Sequence, residues 1–198
     1  MNLFIEIFKH VEIISTIVVG TIVLIYTLKK KLKDKGIAIW SNVFKGSEEI
    51  DTMLQSFVNK HEGVDMISLI ICENGGGIPT ATSQLKTSII SDGQISGIAS
   101  YKANWQNVPV GYYYKAMLKE CFMEGYFLVT NSEDLEDSII KTAALGEGVK
   151  SFRLEHLLTK EKAWYYLVLS KKEGIVAYDY ETNDHLRVLK QELIKIIK

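Results

Sequence analysis

Proline and cysteine are scarce in this chain, with two of each in 198 residues, and neither acid nor base predominates, the formal charge being −1. Each shortage excludes something. So few prolines, with no low-complexity tract and no internal repeat, leave no room for a Pro-rich linker and point to an ordered domain from about Ser47 to the end. Cys72 and Cys121 stand alone, without a partner at ligand spacing, so neither a disulfide framework nor a zinc site is written here. Both are expected as free, buried thiols in a reducing compartment. His10, His61, His156 and His185 are scattered and suggest no metal. Catalytic signatures are missing as well. No Gly-x-Ser-x-Gly elbow occurs, and no Walker or dinucleotide glycine pattern. An enzyme would need a cleft with convergent titratable groups, which the sequence does not display. No cofactor is implied.

One long apolar run is present. Residues 11–28, Val11 to Leu28, hold Glu12 near one edge and are followed at once by Lys29, Lys30, Lys31, Lys33 and Lys35. At about 1.5 Å per helical residue the run reaches about 27 Å, close to the hydrocarbon thickness of a bilayer. A cleaved signal peptide would carry its charges before the run and small residues after it; here the order is reversed. The expectation is one uncleaved transmembrane helix. The five lysines stay on the cytoplasmic face, so the large C-terminal part remains inside. Residues 1–10 form a short N-terminal segment that either lengthens the span with tilt or lies at the interface. The connector over 29–46 is basic and then apolar, with Trp40. It lies along the inner leaflet or supplies a first element of the domain; both readings stay open. Residues 1–35 carry a formal +3, which leaves −4 for the rest. A mildly acidic domain is a poor partner for nucleic acid.

From 47 to 198 the pattern is that of one α+β domain. Ser47 suits an N-cap, and Ile50, Met53, Leu54, Phe57 and Val58 recur at helical spacing up to Gly63. Asp65 to Glu73 is nearly all apolar, as a strand covered on both faces should be. Leu85 to Ile90 is a second strand, and an irregular excursion runs to about Gly111. Tyr112 to Glu124 fits a helix, Tyr126 to Thr130 a short strand, and Ser132 caps another helix through Ile140. Three meandering strands follow, Val149–Leu158, Ala163–Ser170 and Ile175–Tyr180. A last helix from about Asn183 carries Leu186, Leu189, Leu193 and Ile196 in one stripe. The expected architecture is a central antiparallel sheet with the first and last helices on one face.

That element order resembles the GAF domain, a relative of PAS, over about Ser47 to Lys198. The likeness rests also on the apolar strand running into Glu73-Asn74-Gly75-Gly76, and on Trp164 to Ser170 leading to the terminal amphipathic helix. A GAF-like domain behind one N-terminal span is also similar to uncharacterised membrane proteins encoded by bacteriophages. The resemblance implies a ligand cavity bordered by the turn Asn74, Gly75, Gly76 and covered by the excursion, where Trp105, Tyr112 and Tyr113 supply aromatic contact area. Such a module would bind a small ligand or a protein partner without chemistry of its own, and a parallel homodimer is a corollary. The competing expectation is a structural or accessory phage membrane protein whose domain is a docking surface with a filled core.

Overall fold

The computed structural model describes residues 46–73, 85–160, 163–176 and 179–197. The expected span over 11–28, the lysines Lys29, Lys30, Lys31, Lys33 and Lys35, and the turn Asn74, Gly75, Gly76 lie outside the described residues. No helix among the described residues is long and apolar enough to cross a membrane. Gly46–Lys198 forms one unit.

Helix α1 covers 46–60. Ser47, expected as its cap, is itself helical. Strand β1 is Met66–Glu73, β2 is Lys86–Gln94 and β3 the two residues Val108–Pro109. Helix α2 is Tyr112–Glu124, ended by Gly125 in the left-handed conformation that favours glycine (φ 85°), and strand β4 is Tyr126–Val129. The single helix expected from Ser132 to Ile140 is broken. A 3₁₀ turn at Ser132–Asp134 is capped by Asn131, and α3, Ile139–Gly146, has its own cap, Ser138, which accepts from the Lys141 N–H. Two short polar side chains, each able to cap, divide the segment.

Strands β5, Ser151–Lys160, and β6, Ala163–Lys171, complete one six-stranded antiparallel sheet in the order β3-β2-β1-β6-β5-β4. The third strand of the meander, expected at Ile175–Tyr180, does not form among its described residues. Instead Val176 is buried and its N–H donates to Ser151 Oγ. Helix α4 then starts earlier than expected, at Tyr180–Ile197, because Asp179 accepts from the Thr182 N–H at 2.7 Å and caps it.

Period-two alternation along the strands explains the two cores. From β1, Ile67 and Leu69 point to one face; from β6, Leu167 and Leu169 join them. There they meet Ile50, Leu54, Phe57 and Val58 of α1 and Leu186, Leu189 and Leu193 of α4. The opposite face takes Met66, Ile70, Cys72, Phe152, Leu154 and Tyr166, under α2 and α3. The first and last helices share one face, as expected, and α2 and α3 cover the other, because β1 and β6 are apolar on both sides and neither can face water. Helix α1 approaches β2 closely enough that a Cβ on Gly93 would lie 2.5 Å from the backbone of Leu54 and Gln55. Only glycine fits there.

Candidate functional site

On the face under α2 and α3 the core is not filled. A cavity of about 80 Å³ lies against the sheet. Its floor is Met66, Ser68 and Ile70 of β1 with Val168 and Ser170 of β6. Its walls include Ile89, Tyr114, Ile140, Phe152 and Leu154. The space follows from small side chains at facing places. Ser68 stands opposite Val168 in the β1–β6 register, Ser170 opposite Met66, and Ala144 is the α3 contribution. Larger apolar residues at these places would close it.

The excursion between β2 and β3 forms the cover. Tyr101 and Trp105 line the cavity from this segment. The segment is pinned on two sides. The Ile89 N–H of β2 donates to the Trp105 carbonyl at 2.9 Å, and Gln106 donates to the carbonyls of Ile89 and Lys102. On the other side Trp105 Nε1 donates to Glu147 Oε1 at 3.1 Å, and the Tyr101 hydroxyl donates to the Glu147 carbonyl at 3.0 Å. Glu147 is the C-terminal cap of α3, so two aromatic residues tie the cover to the end of a helix.

Three polar features of the chamber matter. Ser68 is 2 % exposed, and its hydroxyl has no hydrogen-bond partner among the described residues. A buried polar atom left so costs about 1–3 kcal/mol unless something from outside the chain meets it. Among the described residues Glu147 is the one charged member of the lining, which holds no described lysine, arginine or histidine. Burial raises its carboxyl above the ordinary range, while the Trp105 bond and then the charge of Lys172 pull it down in part. Lastly, both it and Trp105 are half-buried whereas Ser68 and Ser170 are buried, which puts the acid toward the mouth.

Of the residues expected at a ligand site, Trp105 lines the chamber. Tyr112 and Tyr113 do not: they are 82 % and 41 % exposed on the outside of α2, packed edge to face at 5.5 Å, and it is Tyr114 that turns inward. With Pro109 and Ile139 they border a separate shallow groove. Burial pushes the Tyr114 phenol upward against a hydrogen bond with Thr87. Cys72 and Cys121 are buried, as expected, and burial pushes their thiols up to about 11 and about 12, so both are protonated at neutral pH. Sequence reasoning missed Ser68, Tyr101 and Glu147. A lone serine inside an apolar strand was the available signal for Ser68; the turn Gly146-Glu147-Gly148 gave none.

The face under α1 and α4 carries polar chemistry of another kind. Arg153 and Glu155 of β5 are paired and buried, Lys190 of α4 donates to Glu155 Oε2 at 2.8 Å, and Arg153 donates to Asn183 Oδ1 at 2.8 Å. His61 Nε2 and His185 Nδ1 lie 3.1 Å apart, joining the end of α1 to α4. Desolvation, then the neighbouring His185, lowers the His61 pKa. The Arg153, Glu155, Lys190 and Asn183 groups bond to one another, and His61 and His185 border a surface groove with Phe57 and Leu189.

The fold is shared with solved GAF domains. A far-red cyanobacteriochrome photoreceptor matches with a TM-score of 0.57 at 13% identity, over 85% of this chain and 94% of that one. The GAF domain region of a protein described as a membrane protein, from Geobacter sulfurreducens PCA, matches with a TM-score of 0.53 at 14% identity, over 81% and 97%. A phycoerythrobilin-bound GAF domain from a cyanobacterial phytochrome gives 0.52 at 10%, over 81% and 90%. No protein-family model and no curated protein matches the sequence.

Proposed function

We propose that the chain is a membrane-tethered sensory module whose GAF-like domain binds a small ligand in this chamber and acts by binding rather than by a reaction of its own. The observation that carries the reading is the unpartnered Ser68 hydroxyl on the floor of a space walled by apolar side chains. Its size bounds the ligand. At about 30 Å³ per water in the liquid, about 80 Å³ takes only a few non-hydrogen atoms, with any charged or polar head left at the mouth. A tetrapyrrole of the kind bound by the phycoerythrobilin protein is far larger, and both thiols of this domain are buried and protonated. The ligand is therefore of metabolite or fragment size.

The tether is the apolar run Val11 to Leu28 with Lys29, Lys30, Lys31, Lys33 and Lys35 behind it, which assigns the domain to the cytoplasm. A second copy of the chain, or another protein, carries the signal onward. Analytical ultracentrifugation of the full chain in non-ionic detergent tests the dimer; a monomer throughout removes it.

A second reading, a docking domain of a phage-encoded membrane protein, is favoured by the exposed Tyr112, Tyr113 and Ile139 around their shallow groove. Ligand-observed NMR of the full-length chain against compounds of a few non-hydrogen atoms separates the two. Hits abolished by Ala144→Leu, which fills the chamber, support the sensor. No hits, or hits that Ala144→Leu leaves in place, overturn it in favour of docking.

A further inference from the structure

The chamber's charge is one-sided. Its walls are apolar or aromatic, and its single ionisable group of ordinary acidity is the Glu147 carboxyl at the mouth. That carboxyl keeps one oxygen on the Trp105 indole N–H, which fixes the acid beside the ring. A carboxylate held next to an indole and a phenol, with no basic residue among the described lining, is a recognition set for a cation. The acid supplies the charge-assisted hydrogen bond, and the aromatic faces attract positive charge. An anion in the same place would be repelled by the acid, with no base among the described lining residues and only Lys172, outside the lining, acting on that acid. A neutral molecule of equal size would leave the carboxylate desolvated with only Lys172, outside the lining, as counter-charge.

Resting on the small-ligand reading, we infer that the chamber selects a small organic cation, an alkylammonium with a short apolar body. Its charged head sits at the mouth against Glu147 and the Trp105 ring. Its body enters the pocket formed by Met66, Ile70, Ile89 and Ile140. Burial keeps the Glu147 pKa raised despite Lys172, and a bound cation would add opposite charge that the described lining residues do not supply. The available volume limits the body to a few carbons.

The experiment compares three probes of nearly equal size and different charge, butylammonium, butanol and butyrate. Each is titrated into the full-length chain in a non-ionic detergent, with affinity read by calorimetry or by NMR line broadening. Butylammonium is expected to bind at least about tenfold more tightly than butanol, and butyrate more weakly than either. Glu147→Gln keeps an oxygen for the Trp105 N–H and removes the charge; it is expected to erase the preference for butylammonium over butanol. Should that variant not fold, the wild-type series decides alone. Butanol or butyrate binding as tightly as butylammonium overturns the cation assignment and leaves the small-ligand reading standing. Binding of none of the three overturns both.

Discussion

The two faces of one sheet have been put to different use. Under α1 and α4, Ile67, Leu69, Leu167 and Leu169 meet Leu54, Leu186 and Leu193, most of them with no exposed surface, and the polar groups at the margin pair with one another. Under α2 and α3 the same strands present Ser68, Ser170 and Tyr166 instead, and the covering layer is partly an irregular segment held by Trp105 and Tyr101. Because neighbouring residues of β1 point opposite ways, each face can change without disturbing the other. The first face holds the fold together. The second keeps a space open at some cost in packing.

The contrast can be broken most forcefully from the helix side. Leu54→Ala should cost about 2–5 kcal/mol, since Leu54 has 0 % exposure and its neighbours cannot all collapse into the gap. Urea unfolding checks this, and binding by whatever remains folded should be unchanged. Gly93→Ala should cost about 3 kcal/mol, because the added methyl would meet α1 backbone at 2.5 Å rather than a movable side chain. On the chamber side, Ser68→Ala removes a buried hydroxyl without a partner, so stability should stay level or rise by about 1 kcal/mol in the same assay. A loss as large as that of Leu54→Ala would mean that the two faces are not distinct.

Acid should move the two faces in opposite directions, and this is the smallest effect. His61 has its folded pKa lowered from 6.5, so between 6.5 and that lower value the unfolded chain binds more protons. Its contribution is thus lost as pH falls through that window. Glu147 has its folded pKa raised from 4.5, so the folded chain binds the proton first. Its desolvation cost is present above the raised value and is relieved as pH falls toward 4.5. Urea midpoints of the parent, His61→Phe and Glu147→Gln across this range check it. His61→Phe should flatten the acid loss, and Glu147→Gln should deepen it.

Much of this arrangement was legible beforehand. Tyr112 to Glu124 was bounded correctly because Gly111 and Gly125 punctuate it, and β1 announced itself as doubly covered by a nearly all-apolar run. Strand β2 runs on to Gln94, past the expected end at Ile90. There Ser91, Asp92 and Gly93 look like turn residues, yet Ser91 donates to Asp51 of α1 and Gly93 makes room for that helix. These tertiary demands leave no trace in local pattern. The chamber was legible only through Trp105. Ser68 and Glu147 are joined to it by folding, across long separations in sequence, and no spacing rule connects them.

The account depends on the chamber being a place where something binds. Methyl NMR of the full-length chain, titrated with butylammonium, tests this most directly. We expect shifts at Met66, Ile70, Ile89, Ile140 and Ala144, with Leu54, Leu167 and Leu193 unmoved. Shifts spread evenly over both faces, or none at saturating probe, would contradict it.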